Sequence, residues 1–202
     1  MGDRFGEITF TERVRALQAA GGSRAHYARF EGGPPVREHL GLEEIQFIGE
    51  RDSFYIASIS ETGWPYVQHR GGPPGFLRVL EPTTIACADF RGNRQYISVG
   101  NLQHDDRVAL ILVDYRMRRR LKILGHARLL GADDPITASL KPPGVRAVVE
   151  RGLLIRVAAF DWNCPQHITP RYTAADVQAV TQPLLERIRE LEALLAAAQS
   201  PG

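Results

Sequence analysis

A chain of 202 residues, 44% hydrophobic and 24% charged, can bury a sizeable core without disulfide or metal staples, and its composition excludes disordered and collagen-like classes. Its 25 basic residues against 23 acidic ones leave a formal charge of +2 spread thinly along the chain, which argues against a dedicated nucleic-acid surface. Cys87 and Cys164 form neither a disulfide framework nor a zinc-type spacing, and no apolar run reaches membrane-spanning length, so a cytoplasmic protein with no membrane partner and no metal is expected.

In chain order, Thr9 and Glu12 fit a capping box that predicts a helix from Phe10 to Ala20, stopped by Gly21-Gly22. Ser23 to His39, with its Gly32-Gly33-Pro34-Pro35 loop, reads as a surface segment, and Leu42 to Gly49, with Glu43 and Glu44 in its first turn, as a short helix. Phe54 to Ile59 reads as a strand and Ser60 to Pro65 as the turn into its partner. Strand-like runs then follow at Pro65–Gln68, Phe76–Leu80 and Thr84–Ala88, separated by Gly and Pro turn chemistry.

Two polar knots interrupt these strands. One is Gln68-His69-Arg70-Gly71-Gly72 at a strand end; the other runs from Asp89 to Gln95, Asp-Phe-Arg-Gly-Asn-Arg-Gln, into a predicted helix over Gln95 to Leu102. Guanidinium and amide donors beside glycines let a loop approach an anion closely, and a helix N-terminus adds oriented N–H groups, so a phosphate is the expected guest.

Val108 to Val113 is continuous and apolar, which predicts a strand buried on both faces. Arg120 to Leu130 alternates as a long strand with a bulge at Gly125. Asp134-Pro135 opens a helical segment, broken at Pro142-Pro143-Gly144 and resumed over Val145 to Arg151, and Leu153 to Phe160 is the last strand. After an irregular loop from Asp161 to Tyr172, Thr173 caps a long helix with an apolar stripe at Val177, Val180, Leu184, Ile188, Leu191 and Leu195. Such a stripe packs either on the chain's own core or against a coiled-coil-like partner. The elements predict one mainly-β domain over residues 1–202, a small barrel at about 45–160 with an N-terminal helix and a long C-terminal helix attached.

The strand Phe54–Ile59, the turn Gly63-Trp64-Pro65-Tyr66, the knot Asn93-Arg94-Gln95 followed by Asn101, and the alternating strand through Gly125 together resemble the pyridoxamine 5'-phosphate oxidase-like family of FMN-binding split β-barrels. The segment Trp162 to Arg171, Trp-Asn-Cys-Pro-Gln-His-Ile-Thr-Pro-Arg, resembles one recurring in an uncharacterised branch of that family. The resemblance implies a homodimer with FMN at its interface and a small-molecule substrate. It implies that Asn93, Arg94 and Gln95 fill the phosphate knot, with Gln95 where the family has lysine. It further implies Gln68, His69 and Arg70 on the edge strand that runs along the isoalloxazine and ribityl chain, Ala88 and Asp89 near the phosphate or the ribityl hydroxyls, and Arg120 where a flavin-contacting glutamine is usual. Trp162, Gln166 and His167 would reach the flavin from the second subunit. The oxidase's C-terminal Arg-x-His substrate clamp is absent, and a long helix stands in its place.

The expected activity is that of an FMN-dependent oxidoreductase on a small substrate, with FMN supplying the electron transfer. No acid–base pair stands out. His69 is the one catalytic candidate, as a proton donor to the substrate side, against an ordinary strand histidine bonded to a backbone carbonyl. A Cys164–His167 nucleophile pair lacks a third orienting group, and Cys87 reads as a small core residue. Trp64 and Trp162 read as packing residues, with stacking on a flavin edge as the alternative. The competing class is a non-catalytic flavin- or haem-binding storage or sensor protein, for which His69, His104, His126 and His167 offer ligands. A partner-binding module using the C-terminal helix would need no ligand.

Overall fold

The structure, a computed structural model, describes residues 2–29, 31, 35–36, 39–163 and 165–199. The chain divides into two compact units, Met1–Asp114 with Arg119–Cys164, and Tyr115–Arg118 with Pro165–Gly202.

The first unit begins with β1 (Gly2–Asp3), α1 (Arg4–Thr9), α2 (Glu12–Ala20), α3 (Arg24–Ala28) and β2 (Pro35–Val36), β1 and β2 pairing in parallel. The helix expected over Phe10 to Ala20 forms from Glu12 onward as α2, and a separate helix, α1, precedes it. Thr9 is not its N-cap: it ends α1, and its hydroxyl donates to the Phe5 carbonyl one turn back at 2.7 Å. Thr11 caps α2 instead, accepting from the Val14 amide. Helix α4 (Leu42–Gly49) matches its predicted span, and the Glu44 carboxylate accepts from the Gly41 amide at 2.9 Å to close its first turn.

Next come β3 (Ser53–Ile59), β4 (Pro65–Gly71), β5 (Leu77–Glu81), β6 (Thr84–Phe90), α5 (Ile97–His104), β7 (Arg107–Asp114), β8 (Arg119–Leu130), α6 (Pro135–Ser139) and β9 (Val149–Asn163). β3 to β9 form one seven-stranded sheet in the order β4-β3-β7-β8-β9-β6-β5, antiparallel throughout, with β4 and β5 at its edges. Alternate residues of β3 and β5–β9 meet in one core with Phe47 and Ile48 of α4, so the sheet is rolled round them as a split barrel.

Strand β7 corrects one expectation: Val108, Leu110 and Leu112 are buried, while Ala109 is exposed and Ile111 half-buried, so it hides one face only. The bulge expected at Gly125 is present as a register shift between Leu124 and Gly125, and a Cβ there would lie 2.6 Å from the Arg156 carbonyl oxygen. Asp134 caps α6, which packs with Leu140, Ala86 and Ala88 in a smaller core on the outer face of β6 and β9. A Cβ on Gly152 would strike Thr137 at 2.6 Å, so the missing side chain sets how closely α6 lies on β9. The predicted helix over Val145 to Arg151 does not form, because Val149 to Arg151 already belong to β9.

In the second unit, Thr173 and Asp176 cap α7 (Ala174–Gln199) reciprocally: each backbone amide donates to the other's side chain. No residue of α7 is buried. Arg171 stacks over the Tyr115 ring, 4.6 Å from its centroid.

Candidate functional site: an arginine-lined cleft

Strand β4 runs on through the first polar knot to Gly71, so Gln68, His69 and Arg70 are strand residues and must alternate. Tyr66, Gln68 and Arg70 take the half-buried face, and Pro65, Val67, His69 and Gly71 the exposed one. On β6, Ile85, Cys87 and Asp89 share a face, and the first two end in the barrel core. Asp89 emerges at the end of that row, only 8% exposed. Both rows lead to one cleft, whose far wall is the second knot and the first turn of α5.

Asp89 organises the floor. One carboxylate oxygen accepts from Arg70 Nη1, and the other lies 3.1 Å from Arg151 Nε, its cross-strand partner on β9. Glu150 pairs in turn with Arg151, and with Arg91 at 3.0 Å. Neighbouring strand residues ordinarily face opposite ways, yet Glu150 and Arg151 both line the cleft. A bulge explains it: the register passes from Asp89–Arg151 to Phe90–Val149, leaving Glu150 as the extra residue. The Arg91 and Arg151 guanidiniums hold the Glu150 carboxyl below its usual range, Arg91 contributing most.

The loop of the second knot is held by its own polar groups. Asn93 Oδ1 accepts from the Gln95 amide at 3.2 Å, and Arg94 Nε donates to the Tyr96 hydroxyl at 3.2 Å. Arg94 and Tyr96 both have left-handed backbones, φ 62° and 55°, a conformation side-chain-bearing residues seldom adopt and one that gathers at ligand sites. The Tyr96 ring lies under the Arg151 guanidinium at 5.1 Å. Tyr96 is also the N-cap of α5 and supplies no side-chain cap, so the leading amides of Ile97, Ser98 and Val99, which line the cleft, lack a side-chain acceptor there. Ser98 donates to Gln68 Oε1 at 2.5 Å and buried Asn101 to Ser58 Oγ at 3.0 Å, fixing α5 against β3 and β4.

Three arginines, Arg70, Arg94 and Arg151, thus face two carboxylates in the cleft, Asp89 and Glu150, a surplus of one positive charge, and counting Arg91, which pairs with Glu150 beside the cleft, makes four against two. Arg70 Nε is buried and has no hydrogen-bond partner among the described residues. An unmet guanidinium N–H in a cationic cleft suits an oxyanion.

Of the residues singled out in the sequence, the cleft gathers Gln68, Arg70, Asp89, Asn93, Arg94 and Gln95. His69 lies on the other face of β4, edge-on to Tyr55 at 5.4 Å, and Ala88 is buried in the smaller core. Arg120, half-buried near the start of β8, lines no part of the cleft. Trp162 is a packing residue: its indole N–H donates to Glu44 at 2.7 Å and its ring meets Phe47 edge-on. Gln166 and His167 belong to the second unit, His167 with φ 62°, and Cys164 of the Cys–His pair lies outside the described residues. Glu150, Arg151, Tyr96 and Ser98 were missed. The first two are hidden by the helical reading of Val145–Arg151. Among the described residues, no group of His, Cys, Asp and Glu is placed to hold a metal, and no helix is long and apolar enough to cross a membrane.

Two solved structures of HupZ from Group A Streptococcus share this fold. One is 13% identical and covers 66% of this chain and 99% of its own at a TM-score of 0.52; a single-residue variant is 14% identical and covers 61% and 99% at 0.50. No curated protein matches the sequence. The family model for pyridoxamine 5'-phosphate oxidase matches residues 43–156, the span that holds β3 to β8, the first half of β9 and every lining residue of the cleft. The chain belongs to the pyridoxamine 5'-phosphate oxidase family, whose members generally bind a flavin and are commonly dimeric.

Proposed function

We propose that the cleft holds the terminal phosphate of FMN and that the protein is an FMN-dependent oxidoreductase acting on a small substrate as a homodimer. The observation that carries this reading is the convergence of Arg70 and Arg94, from separate segments, on one cleft that, with Arg91 beside it, holds four arginines against two carboxylates. A phosphate monoester carries about −1.5 to −2 at neutral pH, so the charges match. Arg70 Nε has an N–H to give, and Asp89 keeps its guanidinium in place. Arg94 remains protonated, its pKa raised chiefly by the hydrogen bond to Tyr96. The leading amides of α5 add oriented donors at the same end.

When bound, FMN supplies hydride or electron transfer, and the chain's own residues bind, orient and neutralise. Gln68, Asn93 and Gln95 offer neutral hydrogen bonds beside the phosphate, while Arg151 sits as a second cation across Asp89. The isoalloxazine is assigned to the interface between two barrels, where exposed Tyr55, Val67 and His69 give β3 and β4 an amphipathic outer face. His69 would then contact the cofactor across that interface, and residues 1–202 act as one flavin-binding domain.

The test is a ligand comparison. Loss of a charge-assisted hydrogen bond costs about 1.5–3 kcal/mol, so Arg94→Ala should weaken FMN binding roughly 10- to 150-fold and leave riboflavin binding nearly unchanged. Equal losses for both ligands, measured by fluorescence titration, would place Arg94 away from the phosphate. Bleaching of bound flavin by NADH or NADPH at a useful rate then distinguishes an enzyme from a carrier.

A further inference from the structure

Helix α7 presents an apolar stripe that nothing in its own unit covers. Val177, Leu184, Ile188, Leu191 and Leu195 are 49–61% exposed, and the helix has no buried residue. Numbered as heptads with Val177, Leu184, Leu191 and Ala198 at d and Thr181, Ile188 and Leu195 at a, the stripe becomes a continuous seam over the 26 residues of the helix. Gln182, Glu186, Arg189 and Glu190 fall on the opposite side. Pro183 falls at c, outside the seam.

From this seam we infer that α7 pairs with α7 of a second copy as a parallel, in-register two-stranded coiled coil. Occupant and direction are fixed by the flanking charges. The g positions are Val180, Arg187 and Leu194, and the e positions Gln178, Leu185, Glu192 and Gln199. In a parallel pair g faces the partner's e five residues on, so Arg187 meets Glu192 of the other helix and Val180 meets Leu185, each contact made twice by symmetry. An antiparallel pair sets g against g and e against e. Arg187 would then meet only arginine or an apolar residue, and Glu192 only glutamate, glutamine or leucine. The charges complement one another in the parallel register alone. Ile188 at a with Leu191 at d is the combination that favours two strands over three or four. In the single chain Arg187 pairs with Glu190 at 2.8 Å on its own helix, an exposed contact that the parallel pair exchanges for Glu192 of the other copy.

This pairing does not depend on the flavin reading, and its test is blind to contacts between barrels. In the full-length chain carrying Cys164→Ser, with Cys87 buried and its thiol pushed up to about 12, cysteines are introduced singly at Ile188, Leu191 or Glu186. A disulfide needs Cα atoms within about 7 Å, which same-residue pairs meet at a and d but not on the outer side. Mild oxidation should therefore link Ile188→Cys and Leu191→Cys chains to covalent dimers at least about tenfold faster than Glu186→Cys chains. Arg187→Glu should lower the Leu191→Cys yield, and adding Glu192→Arg should restore it. A mixture of Leu184→Cys and Leu195→Cys chains links across only in an antiparallel pair, and that result overturns the inference. So do equal rates at positions 186, 188 and 191, the outcome if another protein, a lipid surface or the chain's own barrel covers the helix.

Discussion

Strand β8 and helix α7 carry the same kinds of side chain at the regular spacing of their element, and they end in opposite circumstances. Leu121 and Ile123 of β8 are wholly buried, because the sheet rolls over them and α4 closes one end. Ile188 and Leu191 of α7 stay half exposed. Periodicity reveals which face of an element is apolar, since it follows from backbone geometry. What covers that face depends on residues distant in sequence, or on another molecule. The cleft lies between these extremes: its floor is set by strands, and its far wall is a loop with two left-handed side-chain-bearing residues.

The largest effect that would sharpen the contrast is in the barrel. Ile123→Ala removes a fully buried side chain from a core that cannot collapse freely, and should cost about 2–5 kcal/mol in urea unfolding followed by Trp162 fluorescence. A loss below about 1 kcal/mol would mean that this core is loosely packed. Asp89→Ala comes next. It leaves Arg70 and Arg151 facing each other across the cleft floor without their shared carboxylate, and should cost about 1–3 kcal/mol. Asp89→Asn, which keeps the shape and loses the charge, should recover only part of that; full recovery would show that packing and not ion pairing matters there.

How much of this was legible in the sequence follows the same division. The strands Phe54–Ile59 and Arg120–Leu130, the Gly125 bulge and both polar knots could be read because alternation and turn chemistry are local. Glu150 and Arg151 could not: Val145–Arg151 suits a helix as well as a strand, and pairing with β6, some sixty residues away, settles it. The sequence groups His69 with Gln68 and Arg70 because the three stand together at a strand end and the family resemblance sets them along one cofactor. As strand residues they must diverge. Val108–Val113 read as doubly buried because Ala109 and Ile111 are apolar, although half-covered sheets tolerate apolar residues on their open face. The choice between Thr9 and Thr11 as a cap turned on one hydroxyl bond inside α1, beyond the reach of a motif.

Cys87 offers a subtler probe of how dry the barrel is. Burial pushes its thiol from 9.0 to about 12, with Arg70 opposing the shift and Asp89 adding to it. Below pH 9 both folded and unfolded thiols keep their proton and no stability depends on it. Above pH 9 the unfolded thiol ionises while the folded one does not, so stability falls with rising pH, by up to about 1.4 kcal/mol per unit, until the folded thiol titrates near 12. Because other groups also titrate in alkali, the quantity to measure is wild type minus Cys87→Ala, which should decline from pH 9 upward. A flat difference would mean that water reaches the thiol.

The smallest expected effect falls on α7. Leu191→Ala deletes a side chain as large as those of the barrel, yet one 49% exposed within its own chain. At protein concentrations low enough to keep helices apart, it should shift unfolding of the barrel by no more than about 0.5 kcal/mol, the range for surface substitutions. Raising the concentration separates the two regions further: a partner that binds only the folded helix stabilises by mass action, so the wild type should gain stability with concentration and Leu191→Ala should gain less. Ile123→Ala should lose the same amount at every concentration. If Leu191→Ala cost as much as Ile123→Ala in dilute solution, α7 would be covered by its own chain, and the contrast between an element that completes a core and one that awaits a second copy would fail.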